Sequence, residues 1–125
     1  MKASIFAFFA LLLSVSFSPE QLEGRWEYIY NDGVNMVYAR TSDAEKGPWL
    51  DFAEKGDLTV RQNAGWCGTP PVSYATHKGG SYDLTKKGKL TMTHKFWGGI
   101  DTTHYQIASI KGDTMRMSFL SRGGE

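Results

Sequence analysis

One cysteine in 125 residues rules out an internal disulfide, so the fold has to stand without covalent stapling. Cys67 is then buried, free or paired to another chain. An excess of charge of one sign is also missing. The 14 basic residues face 13 acidic ones, net +1 at pH 7, which gives no electrostatic basis for binding nucleic acid or an anionic membrane. The longest apolar run, Ile5 to Leu13, is too short to cross a bilayer, so no membrane span is expected in the mature form. There is no internal repeat, no low-complexity tract and no long amphipathic helix, which leaves strands as the source of the fold.

The same apolar run has another reading. Lys2 gives it a basic start, and Ser14-Val15-Ser16 places small residues where a signal peptidase cuts. Residues 1–16 are therefore expected to be a signal peptide. Cleavage after Ser18 is disfavoured because Pro19 would then come first. No cysteine follows that could take a lipid, so the product is expected to be secreted or periplasmic. Without Lys2 the basic and acidic side chains balance at 13 each. With 41% hydrophobic and 14% aromatic residues, the remaining chain holds one domain, 19–122, with a single core.

In the second half, apolar and polar residues alternate with a period of two, and turns bearing glycine interrupt the pattern. Leu90, Met92, His94 and Phe96 share a face, as do Tyr105 and Ile107 on the next strand. A two-residue Gly98-Gly99 loop predicts Met92 opposite Tyr105 and Leu90 opposite Ile107. A three-residue loop at Lys111, Gly112 and Asp113 predicts Met115, Met117 and Phe119 against Ser109, Ile107 and Tyr105. Lys86-Lys87-Gly88 predicts Leu84 against Leu90. Upstream, Trp26, Tyr28 and Tyr30 face one way, and Leu50, Phe52, Leu58 and Val60 continue that face around the Glu54 to Asp57 turn. Residues 34–47 read as a loop. GWCGTPP, 65–71, is a shaped loop, and residues 72–77 and 80–84 read as two short strands. These strands number eight. Eight short antiparallel strands with one apolar face each are best satisfied by an up-and-down β-barrel, which has no open edges and an interior wide enough for side chains or one small ligand.

Gly24-Arg25-Trp26, at the head of the first strand after a short turn, resembles the G-x-W signature of the lipocalin and calycin superfamily. Together with the strand count, the export signal and G-x-Y-x-L at Gly80 to Leu84, the chain is similar to small bacterial lipocalin-like domains over roughly residues 20–121. The resemblance implies that Gly24 and Trp26 mark a closed barrel end and that a basic residue from near the last strand, Arg122 or Arg116, packs across the indole. The chain is shorter than a typical lipocalin and shows no long terminal helix, so any interior is small.

No residue pattern demands catalysis. On the predicted register His94 points inward and His104 outward, so they share no metal, and no carboxylate completes a zinc site with His77. Cys67 has no histidine placed beside it. No metal, cofactor or enzymatic step is expected. The inward aromatics serve equally as core or as the lining of a pocket, and the superfamily resemblance favours the pocket. The function expected is non-enzymatic binding of a small apolar or amphipathic molecule at the open end. Tyr28, Phe52, Tyr74, Tyr82, His94, Tyr105 and Met117 are the candidate contacts. The alternative is a solid barrel whose loops bind a protein or glycan, with Trp49, Trp66 and Trp97 as anchors.

Overall fold

Strict alternation in the sequence becomes strand wherever turn chemistry lets the chain reverse. In the computed structural model, which describes residues 16–63, 74–96 and 99–123, a short helix α1 (Pro19–Leu22) precedes eight strands. These are β1 (Gly24–Asn31), β2 (Met36–Arg40), β3 (Trp49–Phe52), β4 (Asp57–Asn63), β5 (Tyr74–Leu84), β6 (Lys89–Phe96), β7 (Gly99–Lys111) and β8 (Thr114–Arg122). All pairings are antiparallel and the sheet closes on itself. The eight-stranded barrel read from the sequence is the fold.

Two strands differ from the expectation and offset each other. Residues 36–40, read as loop, form β2, while the two short strands expected between 72 and 84 are one strand, β5. The order is sequential from β3 to β8. The β1–β2 hairpin is inserted with β1 against β3 and β2 against β8, so the chain between β2 and β3 crosses the outer face of β1. Trp49, buried beneath that crossing, donates its indole N–H to Ala44 O at 3.1 Å. It is therefore no free anchor. Trp66 and Trp97 lie outside the described residues, as do Cys67 and residues 1–15.

Bulges decide which side chains face inward. An extra residue on one strand inverts the alternation beyond it. Ile29 is such a residue in β1, which turns Tyr30 outward opposite Val37. In β5, Lys78 and Gly79 together oppose Thr59, with Gly79 at φ +87°, and this turns Tyr74 outward over the Arg61 guanidinium. In β8 the extra residue is Leu120, beyond which Arg122 pairs with Thr103 on the inner side.

Turn lengths shift two hairpins. The β6–β7 register sets Leu90 against Tyr105 and Met92 against Thr103, two residues from the expected pairing. An even slip leaves every side chain on its face, so alternation alone does not distinguish the two registers. On the outer face Thr91 and Thr93 bond His104 and Thr102 at 2.9 and 3.1 Å, which pins the observed one. At β7–β8 the turn has two residues, Gly112 and Asp113, with a bulge at Ala108. Met115 therefore faces Ile110, while Met117 and Phe119 meet Ile107 and Tyr105 as expected. Leu84 pairs with Leu90 as read.

The barrel is sealed at the end where β1 begins. Trp26 is fully buried there and donates its indole N–H to Leu22 O at 2.8 Å, so α1 acts as a plug. The cation across the indole is Arg40 of β2, 4.2 Å from the ring, which also donates to Glu23 O and Gln21 O. Arg116 pairs instead with Asp32, and Arg122 with Asp101 near the opposite end. Leu22, Phe52, Leu58, Leu90 and Met115 complete the buried layer, against which Phe17 also packs.

Candidate functional site

At the other end β1, β4, β6 and β8 finish and β2, β3, β5 and β7 begin, and here the inner face changes from apolar to polar. Leu58 and Val60 are followed on the same face by Gln62, Leu90 and Met92 by His94, and Tyr105 is preceded by Thr103 and Asp101. This layer surrounds two clefts. The inner one, about 210 Å³, is walled by Tyr28, Tyr38, Leu50, Val60 and Met92. The rim cleft, about 410 Å³, is walled by Asn63, Asp101, Thr103 and Arg122. Gln62, His94 and Tyr105 line both.

The inner wall is aromatic. Tyr28 and Tyr38 meet edge to face at 5.6 Å, and Tyr105 meets Phe119 in the same way at 5.7 Å. Burial, reinforced by the neighbouring Tyr105 and Tyr28 hydroxyls, pushes the Tyr38 phenol far above its ordinary range, so it stays protonated and can donate. Among the described residues, no group accepts from the hydroxyls of Tyr28, Tyr38 or Tyr105.

The rim is unevenly satisfied. His94 Nδ1 lies 3.1 Å from Lys95 O; a carbonyl only accepts, so Nδ1 carries a proton and donates. Arg122 Nε is 3.0 Å from Asp101 Oδ2, with the arginine side chain largely exposed. Thr103 is 4% exposed, and its hydroxyl has no hydrogen-bond partner among the described residues. A buried hydroxyl in that state awaits water or a ligand.

Of the seven candidate contacts, the structure brings Tyr28, His94 and Tyr105 together at these clefts. The other four are corrected. Phe52 and Met117 are sealed in the core. Tyr82 lies at the closed end, its ring against Phe52 at 4.9 Å and its hydroxyl donating to Ala53 O at 2.7 Å. Tyr74 is 36% exposed on the outer face because of the β5 bulge. Sequence reasoning missed Tyr38, which sits in a supposed loop, and assigned Arg122 to the closed end, whereas a bulge turns it into the rim. Gln62, Thr103 and Asp101 were available from the period of two, as polar continuations of apolar faces.

The two histidines diverge as expected. His104 is buried on the outer face, where Nε2 donates to Gly123 O at 3.0 Å and Nδ1 accepts from the Thr91 hydroxyl at 2.9 Å. Both its nitrogens are engaged, which makes it a structural residue. No known family model, curated protein or solved structure matches the chain.

Proposed function

We propose that this is an exported, lipocalin-like binding protein that holds a small amphipathic molecule at the open end of its barrel. One observation carries the reading. An aromatic inner cleft and a polar rim cleft share Gln62, His94 and Tyr105 at the end opposite the Trp26 plug. A floor of apolar walls under a few convergent polar groups is the usual form of a small-molecule site. The lipocalin-like assignment draws support from Gly24-Arg25-Trp26 at the closed end and from the cation stacked on the indole, Arg40. Two features depart from that superfamily: the stacking cation comes from β2, and the β1–β2 hairpin breaks the up-and-down order. Export is proposed from Lys2, the 5–13 apolar run and Ser14-Val15-Ser16 alone.

Binding is favoured because the described residues that line the site are hydrogen-bonding and apolar groups arranged around two connected clefts. The reading is tested by native mass spectrometry of the exported protein together with titration of the neutral dye Nile red. A retained small molecule or saturable dye uptake, weakened by Tyr105→Ala in a folded variant, is the expected result. Uptake of neither would sink carriage. A second reading, docking of a protein partner, is favoured by Tyr30, Val34, Phe119 and Leu120, which are exposed beside the same rim.

A further inference from the structure

We infer that the open-end site is built for a small ring-bearing monocarboxylate, its ring in the inner cleft and its carboxylate on Arg122 and Thr103. This rests on the ligand-binding reading above and adds the chemical class.

Size argues for a ring. A dry cavity of about 150 Å³ holds benzene, so an inner cleft of about 210 Å³ has room for one substituted ring. Leu50, Val60 and Met92 provide apolar walls, while the edge-to-face pair Tyr28 and Tyr38 offers aromatic contact.

Hydrogen-bond accounting argues for an acceptor-rich end. Arg122 only donates, and the Thr103 hydroxyl is buried with no partner among the described residues. The rim carboxylate, Asp101, is already committed to Arg122 Nε, which leaves the terminal guanidinium nitrogens for a second acceptor. Planar guanidinium and planar carboxylate match as two parallel bonds.

Charge argues against a ligand cation and against a dianion. At the rim cleft Arg122 and Asp101 balance each other. Arg61, on the wall of the inner cleft, donates to Gly47 O at 2.8 Å and stacks on Tyr74 at 4.4 Å, so its charge faces outward. A ligand cation would have to take Asp101 from Arg122. A phosphate dianion would find a single guanidinium. The bulge at Leu120 fits the same picture, because without it Arg122 would point away from the mouth.

The test uses the full chain and isothermal titration with 4-hydroxybenzoate, its neutral isostere 4-hydroxybenzamide, decanoate and inorganic phosphate, with Nile red in parallel. The carboxylate is expected to bind at least tenfold tighter than the amide, with decanoate and phosphate weaker still. Arg122→Gln should weaken 4-hydroxybenzoate by tenfold or more and leave Nile red unchanged, Arg122→Lys should fall between, and Thr103→Val should weaken it severalfold. Asp101→Asn is the decisive variant: freeing Arg122 from its rival should tighten 4-hydroxybenzoate severalfold, an effect that damage to the fold cannot produce. Equal affinity for acid and amide, an indifferent Arg122→Gln, or a weakened Asp101→Asn overturns the inference. Nile red binding without 4-hydroxybenzoate binding overturns the ligand class and leaves carriage standing; loss of both overturns the two together.

Discussion

Trp26 and Thr103 mark opposite ends of the barrel and opposite outcomes for a single substitution. The indole of Trp26 is fully buried, bonded to Leu22 O and covered by Arg40, so no neighbour can collapse into its space without breaking the plug. Trp26→Ala should cost about 3–5 kcal/mol, the range for deleting a large buried aromatic. Equilibrium denaturation measures it, and an unchanged midpoint would contradict the plug. Thr103 has the reverse status. Its hydroxyl carries a desolvation cost with no bond in return among the described residues, so Thr103→Val, nearly the same shape, should leave the ligand-free protein unchanged or more stable by about 1 kcal/mol. A marked destabilisation would mean that an ordered water already satisfies the hydroxyl. Sequence alone placed Trp26 well, because a large aromatic at the head of an inward face has one comfortable destination. The state of Thr103 depends on burial and on what its neighbours bond, neither of which alternation encodes.

Among the elements, strands and most turns were legible and bulges were not. The Lys86-Lys87-Gly88 turn gave the Leu84 to Leu90 register directly, since its length and its glycine specify the geometry. The bulges at Ile29, Lys78-Gly79, Ala108 and Leu120 have no comparable signature, although Gly79 gives one of them away in hindsight. Each inverts a face, which is why Tyr30 and Tyr74 point outward against the alternation; the placement of Arg122 at the closed end comes from the superfamily resemblance instead. Residues 34–40 misled for another reason: the hairpin is held at its tip by an aspartate, not by a glycine turn alone. The Asp32 carboxylate accepts from the Val34 and Asn35 amides at 2.9 and 2.7 Å and from Arg116 Nη1 at 2.7 Å. Those two amides chiefly, with Arg116 assisting against slight desolvation, hold its carboxyl below the ordinary value of 3.8. A carboxylate whose pKa is lower folded than unfolded stabilises fully above the unfolded value and loses that contribution as pH falls through the folded one. The β1–β2 tip should therefore stay ordered at pH 4 and loosen only below the usual aspartate range. In an NMR titration the Val34 and Asn35 amide shifts should move together below pH 3.8, and Asp32→Asn should abolish that step. A step at or above 3.8 would show that the amides do not hold the carboxylate.

For the whole molecule, the asymmetry between the ends is the property that joins stability to binding. Apolar burial is concentrated at the plug, where Leu22, Trp26, Leu58, Leu90, Ile107 and Met115 are almost without exposure. The open end spends its inner face on Gln62, His94, Asp101 and Thr103, which add hydrogen-bonding capacity and little core. A barrel so divided should open from the rim, because local opening is cheapest where few apolar contacts are lost. The strand order reinforces the division: the crossing between β2 and β3 straps the outside of β1 and covers Trp49, while β8 beyond Met117 has no pairing on the β2 side among the described residues. Native-state hydrogen exchange should therefore show a gradient. Backbone amides near the plug, such as Ile107, bonded to Gly88 O at 2.8 Å, should exchange only through global unfolding. Amides at the rim, such as those of His94, Asp101 and Ser121, should exchange through smaller openings that respond weakly to denaturant. A ligand held at the mouth binds the closed rim and not the opened one, so at about 100 times its dissociation constant it should slow rim exchange by roughly a hundredfold, about 2.7 kcal/mol. Plug amides would gain the same increment only through the global equilibrium, which makes the two ends report on different events. Uniform protection along β6 and β7 without ligand would show that the rim is as firmly built as the plug, and the mouth would then be a poor place to admit a molecule.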